Sequence, residues 1–190
     1  MSKRHRLKPS EPVPHIEGDF IFASFDFSLT CPGFALLSYH ANTRSVELLK
    51  VDHLSNKYHK NKKNGQIILE ISKVFAEYVA PQSTKAYVRE RAFTRFGAET
   101  SAMFKVLGAM EMILWDRKEA WFQELAPKQI KRLVTGNGKS SKAQVAEALD
   151  AYLEHPPWKT DDESDAVAAG VAWLIANDYI DPKFELLPEK

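Results

Sequence analysis

Four carboxylates are conspicuous by position. Asp26 interrupts the apolar, aromatic run Phe20 to Phe27 (FIFASFDF), and Glu90 closes a second short extended segment after Val88. Asp162 and Asp165 stand three apart at the start of a helical pattern. Strand interiors disfavour Asp, and a buried carboxylate without a partner is costly, so Asp26 requires a partner or a cation. The three-residue spacing puts Asp162 and Asp165 on one helix face. Acids drawn from separate elements suit hard divalent cations, which take oxygen ligands and keep several waters. Two such ions about 4 Å apart can make a water nucleophilic and neutralise a leaving oxygen, the two needs of phosphodiester hydrolysis. Three of the acids also have a plainer reading. Asp162 and Asp165 could simply complement a helix N-terminus, and Glu90 could pair with its neighbours Arg89 and Arg91.

A definite set of elements is needed to position these acids. Phe20 to Phe27 reads as a buried strand, and Pro32 and Gly33 punctuate the turn after it. Phe34 to Tyr39 and the alternating Ser45 to Val51 read as the next two strands of an antiparallel meander. Beyond a basic loop, Lys57 to Lys63, the residues Ile67, Ile68, Ile71, Val74, Phe75 and Tyr78 recur at helical spacing. They predict an amphipathic helix from Gly65 to Val79, ended by Pro81. Lys85 to Val88 is a short fourth strand. Glu99 to Trp115 is a long, mostly apolar helix whose apolar surface is wider than one core face needs; it suits a central core helix or a subunit contact. Ala120 to Leu125 reads as a fifth strand, and Pro127 opens a short helix at a favoured position. After a glycine-containing turn from Thr135 to Ser141, Lys142 to Leu153 is helical until Pro156 and Pro157, and Asp161 to Asn177 is the last helix. This order predicts an α/β fold, a mixed five-stranded sheet flanked by helices on both faces.

The 190 residues suffice for one domain with its own apolar core. We expect a flexible basic tail over residues 1–18, which carries Pro9, Pro12 and Pro14, a domain over 19–182 and a C-terminal tail over 183–190. The tail is either a plain leader or a basic arm that touches phosphates. A net charge of +1 gives no global field, so any nucleic-acid partner must be read from where the charges sit. The single cysteine, Cys31, excludes an intrachain disulfide and fits a reducing compartment; nothing near it would activate a thiol nucleophile. No apolar run approaches a membrane span, no secretory signal follows the basic start, and no glycine-rich loop suggests a sugar or acetate kinase. A cytosolic protein is expected.

Four motifs in order resemble the RuvC-like Holliday junction resolvases of the RNase H-like superfamily. Ser24-Phe25-Asp26-Phe27-Ser28-Leu29-Thr30 with Gly33 resembles the first-strand motif, and Glu90-Arg91-Ala92-Phe93 the second. Pro127-Lys128-Gln129-Ile130-Lys131 with Val134, Gly136, Gly138 and Lys142 resembles the segment before the last acids. Asp162-Glu163-Ser164-Asp165-Ala166-Val167-Ala168 resembles the closing D-x-x-D-A-x-A helix. The likeness runs from Phe20 to about Leu174. It departs at Phe27, where relatives often carry proline, at Cys31-Pro32, in the N-terminal tail and in the Lys57 to Lys63 loop.

The resemblance implies an RNase H-like sheet and a homodimeric endonuclease that resolves four-way or other branched DNA by paired nicks, leaving 5′-phosphate and 3′-hydroxyl ends. It implies that Asp26, Glu90, Asp162 and Asp165 hold two Mg²⁺ ions, with Mn²⁺ as substitute, and that Lys131 and Lys142 act near the scissile phosphate. It also implies that Phe93 stacks at the opened junction, and that the protein works in the cytoplasm of a bacterial or phage-infected cell. A helicase partner is not specified. Basic residues agree by placement: Lys57, Lys60, Lys62, Lys63, Arg89, Arg91, Arg95, Lys128, Lys131, Arg132, Lys139 and Lys142 fall in loops or helix starts round the proposed site. Among these, Arg91, Arg95, Lys128, Lys139, Lys60, Lys62 and Lys63 are expected to meet DNA backbone. Two other readings remain: an RNase H-type or flap nuclease of the same fold, and a non-catalytic nucleic-acid binding module.

Overall fold

The alternation of side chains along the first strand, β1 (Phe20–Asp26), divides the molecule into two layers. In the computed structural model, residues 15–56, 63–80, 83–91, 98–116, 122–154 and 158–187 are described. Phe20 and Phe22 point to one face, where they meet Ala35, Leu37, Tyr39 and Val88. Ala23 and Phe25 point to the other, where they meet Phe34, Tyr87, Ile71, Phe75 and Tyr78. By the same alternation Asp26 falls on the face of Phe20 and Phe22.

Strands β2 (Gly33–His40) and β3 (Ser45–His53) complete the expected antiparallel meander with β1. Strand β4 (Thr84–Glu90) lies parallel to β1 on its other side, and β5 (Gln123–Leu125) lies parallel to β4. The order β3-β2-β1-β4-β5 makes the expected mixed five-stranded sheet. The expected fifth strand was longer; Ala120 and Trp121 lie outside the described residues, and Phe122 turns its ring onto Phe25, Phe27 and Phe75.

Helices α1 (Asn64–Val79) and α2 (Ala98–Asp116) cover the face of Phe25. Their inward residues, Ile71, Phe75, Val106, Leu107 and Met110, are buried, whereas Leu69, Phe104, Met112 and Trp115 stand exposed. Helices α3 (Pro127–Thr135), α4 (Lys142–Ala148) and α5 (Asp161–Ala176) cover the face of Phe22. The helix expected from Lys142 to Leu153 tightens after Ala148 into a 3-10 turn, Leu149–Ala151. Among the described residues, no helix is long and apolar enough to cross a membrane.

Helix α5 is buried from Ala166 to Ile175, as befits a helix apolar on all sides. Two glycines let it lie close to the sheet. A Cβ on Gly170 would come 2.7 Å from Ser24 Oγ. A Cβ on Gly33 would stand 1.9 Å from the carbonyl oxygen of Asp162, so the first turn of α5 rests on the bare backbone at the start of β2. At the other end of the sheet the chain is tied by Tyr179, whose hydroxyl accepts a hydrogen bond from the Ile16 amide (2.7 Å) and whose carbonyl accepts one from Tyr39 (3.1 Å). The C-terminal segment returns to the domain. Lys183 N–H donates to the Tyr152 hydroxyl (2.9 Å), and Leu187 N–H to the Gly136 carbonyl (2.9 Å).

The Gly33 contact predicts a severe local effect. Gly33→Ala should cost about 3 kcal/mol by overpacking against backbone that cannot swing away, measured in denaturant melts. A variant of unchanged stability would contradict the close seating of α5.

Candidate active site

Parallel pairing of β1 and β4 sets Phe25 opposite Arg89, so the next residues, Asp26 and Glu90, end neighbouring strands at the same edge and on the same face. Gly33 is paired with Asp26 on the other side, and the first turn of α5 resting on Gly33 brings Asp162 and Asp165 over that edge. Thr160 caps this turn by accepting from the Glu163 amide at 3.3 Å. The four acids expected to act together therefore converge, from two parallel strand ends and one helix start.

Their electrostatics record the convergence. Burial pushes the Asp26 carboxyl from its ordinary 3.8 up to about 7, and the charges of Glu90, Asp165 and Asp162 push the same way while Lys142 opposes them. Glu90 is raised by burial and by Asp165, against the pull of Lys142 and Lys131. Asp165 is raised by burial in spite of its hydrogen bond with Lys142. Burial would lower the Lys142 ammonium, but the hydrogen bond to Asp165 and the charges of Asp165, Asp26 and Asp162 hold it above its usual value. Lys142, at the start of α4, makes a direct ion pair with Asp165, and Lys131 on α3 is near enough to influence Glu90. Both expected lysines thus adjoin the acids.

The plain reading of Glu90 as an arginine partner is not what forms. Arg89 points to the opposite face, ion-paired with Glu124 and with Glu111 (3.2 Å), its guanidinium 5.1 Å from the Phe122 ring centroid. Arg91 is exposed and lies 3.5 Å from Glu124. Glu124 engages both arginines, and Glu90 is left to the acidic cluster.

The other basic positions are less tightly drawn together. The Lys128 side chain crosses Gly138, where a Cβ would stand 2.8 Å from its Cγ, and Lys139 N–H donates to the Asn137 side chain at 3.0 Å in the same turn. Lys63 precedes α1, its amide donating to Gln66 at 3.0 Å. Lys60, Lys62, Phe93 and Arg95 lie outside the described residues. Leu54 and Asn56 run beside the β1–β2 turn, their amides donating to Pro32 (3.1 Å) and Thr30 (2.7 Å), so the chain enters the basic loop from the edge that carries Asp26.

Sequence reading passed over one contact. Glu163, buried between the two aspartates in sequence, is 2.7 Å from His53 Nδ1. The T-x-x-E spacing of Thr160 and Glu163 is the available signal, a helix-start pattern; the long-range partner His53 leaves none.

The site suits hard cations. It offers carboxylates from three elements, Asp26, Glu90 and Asp165, raised in pKa by burial and mutual repulsion and opposed by Lys142 and Lys131. Among the described residues no three His, Cys, Asp or Glu side chains are gathered closely enough to hold a metal ion as they stand. Mg²⁺ needs only a few protein carboxylates because it retains waters in its coordination sphere.

Known proteins give the arrangement a context. The chain matches the family model described as Crossover junction endodeoxyribonuclease RuvC over residues 24–173. It is 31% identical over 116 residues to Crossover junction endodeoxyribonuclease RuvC of Prochlorococcus marinus (strain MIT 9312), covering 60% of this chain and 73% of that protein. A second relative of the same description, from another strain of Prochlorococcus marinus, is 28% identical over 157 residues, 82% of this chain and 98% of the other. In fold the chain is similar to T. thermophilus RuvC in complex with a Holliday junction substrate, with a TM-score of 0.70, 17% identity, and coverage of 80% and 92% of the two chains.

The raised Asp26 carboxyl has a signed consequence for stability. The folded protein keeps this proton up to about pH 7, whereas the unfolded chain releases it near pH 4, at about the ordinary Asp value. The folded state therefore binds more protons between those values, and stability falls as pH rises through them. The full effect is on the order of 4 kcal/mol. Melting of the metal-free protein from pH 4 to pH 8 should show this loss, and Asp26→Asn should flatten it and raise the melting temperature at pH 8.

Proposed function

The chain belongs to the RuvC family of crossover junction endodeoxyribonucleases, and from that premise we propose that it resolves four-way or related branched DNA by hydrolysing phosphodiester bonds at the Asp26 edge. The observation that carries this reading is the convergence of Asp26, Glu90, Asp162 and Asp165 at one strand edge, with Lys142 and Lys131 beside them. Asp26, Glu90, Asp162 and Asp165 would hold two divalent ions, Mg²⁺ or Mn²⁺. When bound, such a pair supplies activation of the attacking water and neutralisation of the leaving 3′ oxygen.

The residues of the chain do the rest. Asp26 and Glu90, on adjoining strand ends, fix one side of the site; the first turn of α5 fixes the other. Holding both sides rigid keeps the attacking and leaving oxygens in line, which removes much of the entropic barrier. Lys142 and Lys131 offset charge beside the scissile phosphate. Arg91, Lys128, Lys139 and Lys63 draw in backbone, together with Lys60, Lys62 and Arg95, and Phe93 stacks on an unpaired base. The products are a 5′-phosphate and a 3′-hydroxyl. A role confined to DNA binding fits poorly, because clustered carboxylates repel phosphate and binding has no use for them.

Paired nicks call for two sites, and a homodimer supplies them. Phe104, Met112 and Trp115 of α2 and Leu69 of α1 are large apolar side chains left exposed on the layer of these two helices. Beside them lies a groove of about 780 Å³ lined by Ser72, Gly108, Met112 and Trp115 among others, together with the acids Glu111 and Asp116. A face of this kind marks an association surface, and the cytoplasm is the expected place of work.

Incubation of the purified protein with a labelled four-way junction should give symmetrical nicks only with Mg²⁺ or Mn²⁺. Asp26→Asn should abolish cleavage and leave junction binding intact, measured by gel shift. Full cleavage by that variant refutes the site. For the dimer, Met112→Glu should shift the protein toward monomer in sedimentation, with at least a tenfold weaker association (about 1.4 kcal/mol), and uncouple the two nicks.

A further inference from the structure

Across the sheet edge, three strands align one residue each: His53 on β3 pairs with Gly33 on β2, and Gly33 pairs with Asp26 on β1. Gly33 has no side chain, and the first turn of α5 occupies the space above it. That turn is therefore flanked by an acid of the site on one side and by an imidazole on the other. Asp162 and Asp165 serve the acidic side. Glu163 lies about 100° further round the helix than Asp162 and about 160° from Asp165, and it reaches the imidazole. Its Oε1 is 2.7 Å from His53 Nδ1, and its Oε2 accepts from the Lys159 amide just before the helix. An ionised carboxylate can only accept, so with Glu163 ionised the Nδ1 of His53 is the donor of the pair.

We propose that His53 is a positioning residue for DNA cleavage: through Glu163 it sets the rotation of the first turn of α5, and thereby the direction in which Asp162 and Asp165 present their oxygens. This inference rests on the reading of the four acids as the cleavage site. The mechanical argument is one of leverage. A helix resting on a flat strand end can still roll about its axis, and a cap at Thr160 restrains the start of the turn without fixing that roll. A hydrogen bond on the side opposite Asp165 does fix it. The strand end that carries His53 is itself held. Asp52 accepts from the Tyr78 hydroxyl at 2.8 Å and pairs with Lys50 at 3.0 Å, joining β3 to α1. Glu163 is almost fully buried, and a buried carboxylate is costly unless its oxygens are used; here both are.

Two variants at one position test this. His53→Leu fills the space without a donor, while His53→Asn keeps an N–H close to where Nδ1 stands. In His53→Leu we expect kcat to fall about tenfold with junction Kd within about twofold of wild type, and the Mn²⁺ half-saturation to rise about tenfold by calorimetry, the range typical when a group that orients metal ligands is removed. His53→Asn should return both values to within about threefold of wild type. Wild-type kcat and Mn²⁺ affinity in both variants overturn the proposal, as does equal impairment in both. Loss of cooperative melting in either variant assigns His53 to stability and overturns it too. A wild-type protein that binds Mn²⁺ but leaves a four-way junction uncut refutes the underlying cleavage reading instead, and is distinguished by the wild-type lane alone.

Discussion

Like charges must be held together here against their own repulsion. Asp26, Glu90 and Asp165 are all raised in pKa by burial, and the acids reinforce one another. Nothing in the local sequence of each acid stabilises that arrangement; the fold supplies it from elsewhere. The parallel β1–β4 pair fixes two of the acids in register, and the buried α5 drives its own N-terminal turn onto Gly33. Apolar packing along Ala166 to Ile175 is what keeps the helix there. A run of small side chains lets α5 approach the sheet closely, so core packing and site geometry are one problem. Strain of this kind, placed at a functional site and offset by the core, is a common pattern in enzymes.

Charge is sorted between the two faces of the sheet. On the face of α1 and α2, Arg89 is buried against Phe122, its Nη2 paired with Glu111 and Glu124. On the opposite face, Glu90 has no arginine partner among the described residues and enters the acidic cluster. Adjacent residues of one strand thus take opposite roles because successive side chains of a strand point to opposite faces. Had β4 slipped by one residue, Arg89 would stand beside Asp26 and neutralise it, and Glu90 would be buried among aromatics.

Much of this was legible in the sequence, for reasons that can be named. Alternation in Phe20 to Asp26 and the helical recurrence of Ile67 to Tyr78 are local signals, and local signals carry element type well. Asp26 announced itself because it breaks an apolar run, and the spacing of Asp162 and Asp165 follows from helix geometry. The end of the Lys142 helix was misplaced by a few residues, because a 3-10 tightening at Leu149 has no strong sequence mark. What the sequence did not carry was long-range. The pairing of Arg89 and Arg91 with Glu124 in place of Glu90 depends on which side of β4 each residue faces. The contact of His53 with Glu163 spans 110 residues and depends on Gly33 lying between them in the sheet.

The ion pair between Lys142 and Asp165 changes what loading the site with metal amounts to. On the proposed reading, a cation bound there would compete with an ammonium already tethered to the protein, so binding would exchange one positive charge for another. Tethering makes that competitor effectively concentrated and always present. On that reading, such a tether lowers the apparent affinity for the ion, and in the metal-free chain it leaves Asp165 with a counter-charge.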